Sequence, residues 1–284
     1  MSPRWSVIIG TIALVSGSLL AAGSANAATA AHSAGTAAGS RPGTTSVRPG
    51  GAKPGFVPGG VMQRPGGASA RARSVRNQTE STNWSGYAVT GSDGAFNSVS
   101  SSWTEPAAAC NDNGQEYAAF WVGLDGYNSD SVEQTGTDSD CSGGAPDYYG
   151  WYEMYPADPV YFNNPVEPGD SMSASVTFDS GSSTYTITLT DNSQGWTQQE
   201  QEQESGLANS SAEVITEAPS SESGPLPLAD FGTVNYGDST VNGSSMDSQN
   251  PTGIIMVGQS GDQLDSTSSM DSVGDFSNSW LAES

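Results

Sequence analysis

Two stretches near the middle of the chain alternate strictly between apolar and polar residues. In SMSASVTFD, residues 171–179, apolar side chains fall at every second position, and the same holds for STYTITLTD, residues 183–191. Successive side chains of a strand point to opposite faces, so a period of two predicts strands with one buried face. Clusters of Gly, Asn, Asp and Ser separate such runs, and no long helical apolar stripe is present. The sequence therefore predicts an all-β fold, an antiparallel β-sandwich or jelly roll.

Charge divides the chain into two parts. All eight Lys and Arg residues and the single His lie before residue 77, whereas all 31 Asp and Glu residues lie at or after Glu80. The 208 residues from 77 to 284 are enough for one acidic domain with a buried core. Because that domain has no cationic side chain, a Ser-His-Asp triad, a Cys-His pair, a Ser-Lys dyad and a His-based zinc site are excluded. Nucleic acid is also excluded as a partner, since the phosphate backbone would be repelled.

The first 27 residues have the pattern of a secretory signal peptide. They combine one Arg, an apolar stretch and a closing Ala-Asn-Ala, which predicts cleavage after Ala27. The apolar stretch is shorter than the ~20 residues needed to cross a bilayer, and no comparable stretch follows. We therefore expect a secreted, extracellular protein with no membrane attachment after signal cleavage.

Residues 28–76 are rich in Ala, Gly, Pro, Ser and Arg and poor in large apolar side chains. Such a composition cannot offset the entropy of folding alone, so we expect the segment to be disordered. One interpretation is a cell-wall or spacer linker. The strict segregation of charge favours another, in which this basic pro-segment lies across the acidic domain until carboxylates are protonated or the segment is cut.

The only two cysteines of the chain are Cys110 and Cys141. In an exported protein we expect them to form a disulfide, which would brace the segment that contains Gln134. A nucleophilic cysteine is disfavoured because the domain offers no cationic group to lower the thiol pKa.

The excess of carboxylates also sets an expectation for pH. Without cations to pair with, carboxylates repel one another, which raises their pKa values in the folded domain above the usual value of about 4. Stability is then largest in acid and falls as the pH rises through the raised values. We expect an acid-secreted or acid-tolerant protein.

Five short motifs resemble a known family when they are taken together and in order. They are STNWSGYAV at 81–89, FWVGLDGY at 120–127, SVEQTGTD at 131–138, GWYEMYP at 150–156 and SAEVITEAP at 211–219. Over residues 82–245 the chain resembles the glutamic peptidases, or eqolisins, and within them a bacterial-type member. The resemblance implies a sandwich of two large antiparallel sheets, jelly-roll or concanavalin-like. It also implies an acid endopeptidase, made as a zymogen and insensitive to pepstatin. Its partners would be protein or peptide substrates and its own pro-segment; no cofactor is implied, and we expect a monomer.

The resemblance assigns a catalytic pair. The Gln of Gln-Thr-Gly is Gln134, and the second Glu of Ala-Glu-Val-Ile-Thr-Glu is Glu217, not Glu213. Glu217 would take a proton from the attacking water and return it to the leaving nitrogen, while Gln134 would donate its amide N–H to the oxyanion. The resemblance also places around the cleft, as supporting or substrate-lining residues, Trp121, Asp125, Asp138, Trp151 and Glu153. We add Trp84 to this set as a cleft wall; the alternative for the three tryptophans is that they are core aromatics.

Two other functions fit parts of the sequence. A secreted lectin-like sandwich would bind sugar through exposed Trp and Asp side chains, and a glycosidase would use two carboxylates such as Glu153 and Glu217. Neither gives Gln134 a role, so this residue discriminates between them and a peptidase. The acid-rich stretch at 261–275 lacks the spacing of a calcium-binding loop and is interpreted as a solvated loop, and no metal site is predicted.

Overall fold

Strands make up nearly all of the regular structure in the computed structural model, which describes residues 60–65, 78–110 and 114–284. Within these ranges the only helical element is a short 3-10 turn, Met246–Gln249, and no helix is long and apolar enough to cross a membrane. The predicted signal peptide and most of the predicted pro-segment lie outside the described residues. The predicted all-β class is confirmed.

The described residues contain nineteen strands, numbered here in chain order. They are β1 (Gln78–Ser81), β2 (Trp84–Thr90), β3 (Ser98–Thr104), β4 (Gln115–Glu116), β5 (Ala119–Leu124), β6 (Val132–Ser142), β7 (Ala145–Tyr155), β8 (Val160–Tyr161), β9 (Ser171–Asp179), β10 (Thr184–Asp191), β11 (Trp196–Gln203), β12 (Ser211–Glu217), β13 (Ser220–Ser221), β14 (Gly224–Pro225), β15 (Thr233–Val241), β16 (Ser244–Ser245), β17 (Thr252–Val257), β18 (Gln263–Thr267) and β19 (Phe276–Trp280).

A continuous hydrogen-bonded ribbon of strands folds into two layers. The first layer runs β8–β7–β6–β5–β12–β2–β17, and β1 pairs in parallel with β17. The second layer runs β11–β10–β9–β3–β15–β19. Strand β18 pairs with both β17 and β19 and so joins the layers. Apart from β1 with β17, the strands pair antiparallel, which confirms the predicted sandwich.

The central strands of the first layer, β2, β5, β6 and β12, are buried on both of their faces. The inner face of the layer packs against the second layer and forms the main core, to which Val122 and Val214 belong. Neighbouring residues of a strand point to opposite faces, so the outer face carries a different set of side chains. That set forms a second apolar cluster around Trp84, Trp121 and Trp151, none of which is exposed. The outer face of the first layer is therefore the place where functional side chains can be held out of water.

The stretch at 261–275 is not a solvated loop throughout, contrary to expectation. Residues 263–267 form β18, and Asp265 is buried there, where it accepts a hydrogen bond from the Ser85 hydroxyl. Only the part around Asp271 forms a turn, in which the Asp271 carboxylate accepts backbone N–H groups. The alternation of apolar and polar residues did not predict β18, because a polar residue, Asp265, occupies a buried position on this strand. No group of three or more His, Cys, Asp or Glu side chains in the described ranges could hold a metal ion.

The predicted disulfide between Cys110 and Cys141 is present. It ties the end of the 78–110 range to β6, and Cys141 lies on the same strand as Gln134. The two half-cystines are 31 residues apart, so the bond closes a long loop. The bond therefore anchors the C-terminal end of β6, and the candidate site residue Gln134 lies near the other end of the same strand.

Replacing both cysteines by serine is expected to lower the free energy of unfolding by roughly 3 to 4 kcal/mol, since chain-entropy models assign that value to a loop of this length. Urea unfolding of the double variant measures the loss. The matched control is the wild-type protein reduced with a phosphine, which should unfold at the same urea concentration as the variant. An unchanged midpoint in both samples would contradict a stabilising role for the bond.

Candidate active site

Strand β12 lies at the centre of the first layer, between β5 and β2. Alternate positions place Glu213, Ile215 and Glu217 on its outer face. Glu217 is the last residue of the strand and lies opposite Trp84 on one side and Ala119 on the other. Because both neighbouring strands are hydrogen-bonded to β12, the backbone of Glu217 is fixed on both sides.

The Glu217 carboxyl group is fully buried and held by two neutral donors. The Trp121 indole N–H donates to Oε2 at 3.0 Å, and the Asn83 side-chain amide donates to Oε1 at 3.1 Å. Burial raises the pKa of Glu217 well above its usual range, and repulsion from Glu153 raises the pKa further, against the lowering effect of the donors. The Trp84 indole N–H also stabilises the ionised carboxylate and so lowers this pKa. Its geometry does not meet the requirements of a hydrogen bond to any described residue. The carboxyl is thus oriented without a cationic partner.

Gln134 lies on β6, opposite Gly123 of β5 and Glu153 of β7. Its side chain is fully buried, and its amide nitrogen donates to Glu153 Oε2 at 2.8 Å. Among the described residues the carbonyl oxygen of this amide has no hydrogen-bond partner. One N–H of the amide is therefore held, while the other N–H and the carbonyl remain for a ligand.

Trp121 connects the surroundings of Glu217 and Gln134. While its N–H bonds Glu217, its ring lies against Gly123, where an added Cβ would be 2.9 Å from Trp121 Cζ3 and 3.1 Å from Gln134 Cβ. A side chain at position 123 would collide with the indole ring and would press tightly against Gln134. Glycine at this position therefore allows the indole ring to extend from the carboxyl group to the strand that carries the amide.

A second group of polar side chains lies beside these residues on β6 and β7. The Trp151 indole N–H donates to Asp138 Oδ1 at 2.6 Å. The Tyr149 hydroxyl lies 3.0 Å from Asp138 Oδ2 and also contacts the Asp140 carboxylate. Burial raises the pKa of Asp138 well above its usual range, and repulsion from Asp140 adds to the effect. These contacts fix the Trp151 ring on the outer face of β7.

The arrangement combines a buried carboxyl, an amide with free hydrogen-bonding capacity and a wall of indole rings. Such a site can move a proton through the carboxyl and can bind a polar oxygen through the amide without any change of charge on the amide. The Peptidase A4 family model matches residues 82–277, a range that includes all of these side chains and more than half of the chain. The chain belongs to the Peptidase A4 family. Its members are the glutamic peptidases, and the resemblance noted in the sequence is confirmed.

Three solved structures of glutamic peptidases resemble this one. Scytalido-glutamic peptidase with a peptide-based transition-state analogue is 27% identical, with a TM-score of 0.60, over 70% of this chain and 98% of that chain. SCP-B, an eqolisin in complex with the tripeptide Ala-Ile-His, is 25% identical, with a TM-score of 0.56, over 70% of this chain and 98% of that chain. Aspergilloglutamic peptidase from Aspergillus niger is 27% identical, with a TM-score of 0.51, over 58% of this chain and 99% of that chain. No curated protein matches this sequence significantly. The chain is therefore a glutamic endopeptidase; the bacterial-type assignment stays a prediction.

The structure of this glutamic peptidase does not bring all the predicted site residues together. Asp125 lies at the other end of the β5–β12 pair from Glu217. Its carboxylate accepts the backbone N–H groups of Asn209 at 2.6 Å and Ser210 at 2.8 Å. Asp125 therefore holds the turn that leads into β12. By contrast, the structure gathers on the outer face of the first layer the residues Trp84, Trp121, Gln134, Asp138, Trp151, Glu153 and Glu217.

Glu213 is the other glutamate of the peptidase's Ala-Glu-Val-Ile-Thr-Glu motif. It is fully buried on the same face as Glu217, between Ala88 and Gly123, and neither of its carboxyl oxygens has a hydrogen-bond partner among the described residues. Burial raises its pKa well above its usual range. Burial therefore favours the neutral form of this carboxyl, and Glu213 contacts neither Asn83 nor Trp121 through a hydrogen bond.

Sequence reasoning missed two parts of the peptidase site. Asn83 donates to Glu217, yet an asparagine just before a strand ordinarily indicates a turn, and its only signal was its place in the motif at 81–89. The second part is the segment at 60–65, which falls within the predicted pro-segment. It lies on the acidic domain, and a Cβ on Gly60 would be 3.8 Å from Glu217 Oε1.

Proposed function

We propose that this glutamic peptidase is a secreted acid endopeptidase in which Glu217 and Gln134 form the catalytic pair. One observation carries the assignment. A buried carboxyl, held by two neutral N–H donors, lies on the same sheet face as a buried amide with free hydrogen-bonding capacity, in a domain whose residues 77–284 contain no cation. Secretion is proposed from the sequence pattern of residues 1–27.

Glu217 acts as general base and then as general acid. In its ionised form it takes a proton from a water molecule whose oxygen attacks the carbonyl carbon of the scissile peptide bond. A tetrahedral intermediate forms, with negative charge on the former carbonyl oxygen. The Glu217 carboxyl then gives its proton to the leaving nitrogen, and the C–N bond breaks.

Gln134 stabilises the intermediate. Glu153 holds one N–H of the amide at 2.8 Å and so orients the group. The other N–H donates to the oxyanion, and the carbonyl oxygen accepts a hydrogen bond from the attacking water. An amide keeps the same charge at every pH, which suits an enzyme that works in acid.

The covered site favours the protonated form of Glu217, because burial raises the pKa of that group. A protonated carboxyl cannot accept a proton from water. Departure of the 60–65 segment would let water reach the carboxyl, which reduces the desolvation and lowers the pKa of Glu217. This relation supports a zymogen in which residues 28–76 are a pro-segment that must leave before the enzyme works.

Two of the similar structures support peptide substrates for this chain. Scytalido-glutamic peptidase was solved with a peptide-based transition-state analogue, and SCP-B was solved with a tripeptide. Both proteins share the fold over 70% of this chain. A peptide ligand would also suit this chain, in which residues 60–65 already lie beside Glu217.

The test is hydrolysis of a denatured protein at about pH 3 by residues 28–284, after acid incubation and with pepstatin present. Gln134→Ala is expected to lower kcat by about 10²- to 10³-fold, the usual cost of one oxyanion donor. The matched control is Gln201→Ala, which removes an exposed amide on β11 and should leave kcat unchanged. Circular dichroism checks that both variants fold.

Two results would contradict the proposal. Full activity in Gln134→Ala would remove the amide from the mechanism. No hydrolysis by the wild-type protein, together with binding of a polysaccharide, would instead support the lectin-like alternative.

A further inference from the structure

A segment of the chain itself occupies the groove beside Glu217. Its sequence is GVMQRP, residues 60–65, and it runs past Asn83 and the turn that follows β5. Gly60 lies beside the carboxyl, since its virtual Cβ would be 3.8 Å from Glu217 Oε1. The first described residue of the segment, Gly60, therefore lies beside the carboxyl group that we propose to be catalytic.

The groove binds this segment mainly through its backbone. The Asn83 side chain accepts the N–H of Gln63 at 2.8 Å and donates to the carbonyl of Val61 at 3.2 Å. The backbone N–H of Met62 donates to the Gly126 carbonyl at 3.0 Å, and the Thr82 N–H donates to the Gln63 carbonyl at 2.9 Å. Main-chain contacts of this kind do not depend on the side chains of the bound peptide, so another extended peptide can make them.

Met62 is the one side chain of the segment that is buried. It is 8% exposed and belongs to the apolar cluster that includes Trp84, Trp121 and Val132. By contrast, Arg64 is exposed and lies over the Tyr127 ring, 5.1 Å from its centroid. Because backbone contacts carry no sequence preference, the pocket around Met62 is where selectivity arises. Methionine is unbranched and flexible, which suits a place in an apolar cluster that also contains rigid indole rings.

Asn83 connects binding of the segment to the orientation of Glu217. One N–H of its amide donates to the Val61 carbonyl and the other donates to Glu217 Oε1 at 3.1 Å. A peptide that engages Asn83 therefore lies at a fixed position relative to the carboxyl. The residue two positions after the one beside Glu217 then enters the apolar pocket.

We propose that the groove holding residues 60–65 is the substrate-binding groove, and that its pocket selects an unbranched apolar side chain two positions C-terminal to the residue beside Glu217. Asn83 and Gly126 are the positioning residues that bind the substrate backbone. This inference rests on the proposed function for one point only, the role of Glu217. Residues 60–65 occupy the groove in the way that a substrate does, so they compete with it.

The first experiment measures binding and needs no activity. In residues 28–284, hydrogen exchange at Thr82 is followed in the wild type, in Met62→Asp and in the control Arg64→Ala. Exchange should be at least about tenfold faster in Met62→Asp only, since a carboxylate in an apolar pocket is strongly disfavoured. Added peptide acetyl-GVMQRP-amide should restore protection to Met62→Asp, whereas acetyl-GVDQRP-amide should not. Equal exchange in all three proteins would overturn the assignment of the pocket.

The second experiment measures cleavage of quenched fluorescent peptides that differ at the position matching Met62. Peptides with Met or its unbranched isostere norleucine there should have kcat/KM at least about tenfold above those with Leu, Val or Asp, a usual discrimination by a shaped apolar pocket. Binding without this preference would show that the segment inhibits in a register that substrates do not use, which overturns the proposal. If no peptide is cleaved, the proposed function fails, while the exchange result still decides whether the groove binds peptides.

Discussion

Glu217→Gln is expected to lower kcat by about 10²- to 10⁴-fold, the range that general acid–base catalysis usually contributes. Glutamine has the size of glutamate but cannot accept a proton from water. In place of Glu217 it would still meet the two donors, Asn83 and Trp121, and would lose at most one of their hydrogen bonds. Most of the fall in rate would therefore reflect lost proton transfer. Initial rates on a denatured protein between pH 2 and pH 6 should stay low throughout, since an amide does not titrate.

Two matched variants separate this effect from a structural one. Glu167→Gln changes an exposed carboxyl and should leave kcat unchanged. Glu213→Gln changes the other buried glutamate of β12. Because burial favours the neutral form of that carboxyl, the neutral amide should be tolerated and most of the activity should remain. A loss in Glu213→Gln as large as that in Glu217→Gln would contradict the assignment of the base.

The free energy of unfolding is expected to fall by several kcal/mol between about pH 4 and pH 8. Burial raises the pKa of Glu105 to about 7 and that of Glu133 to about 8. In the unfolded chain these groups titrate near 4.5. Between the two values the folded protein binds protons that the unfolded chain has released, so stability is full below about pH 4 and falls as the pH rises through 7 and 8. Each unit of pKa corresponds to about 1.4 kcal/mol, which gives roughly 3 kcal/mol for Glu105 alone.

Urea unfolding at pH 4, 6 and 8 measures this fall. Glu105→Gln removes one titrating group from a buried cluster in which Thr137, Ser139 and Trp103 donate to the carboxylate. The variant should lose less stability between pH 4 and pH 8 than the wild type does, by roughly 3 kcal/mol. Glu222→Gln, an exposed change, should follow the wild type. Equal free energies of unfolding at pH 4 and pH 8 in the wild type would refute the account.

The sequence predicted the strands better than it predicted their pairing. Strict alternation identified β9 and β10, and their apolar positions, such as Met172 and Ile187, do face the core. The same reasoning predicted that polar residues on strands are exposed to solvent. Gln134 and Glu217 instead point to the outer face of the first layer, which is buried. Only the order of the motifs singled them out. Burial of a polar residue depends on which strands lie beside it, and one strand's pattern does not contain that information.

Long-range contacts were beyond the reach of the sequence for the same reason. Asn83 and Glu217 are 134 residues apart in the chain, and their meeting depends on β2 lying beside β12. The expectation of raised pKa values was based on repulsion between carboxylates. In the structure the larger cause is burial, with repulsion second or later, for example at Glu217 and Asp138. The composition gives the number of charged residues but not how far each one is buried in the folded protein.

The single ribbon of strands limits how this enzyme can move. Strand β18 bonds the two layers together along one edge, and the packed core holds them together elsewhere, so a swing of one layer away from the other would have to break core packing. Access to Glu217 then depends on the departure of residues 60–65 and on movement of the two elements that bind them. These are the turn at 126–131 and the β13–β14 hairpin, whose Ser220 hydroxyl accepts a hydrogen bond from Gln63. Opening and closing would be a local rearrangement of a few residues above a rigid floor, and the catalytic geometry would stay the same in every stage of turnover.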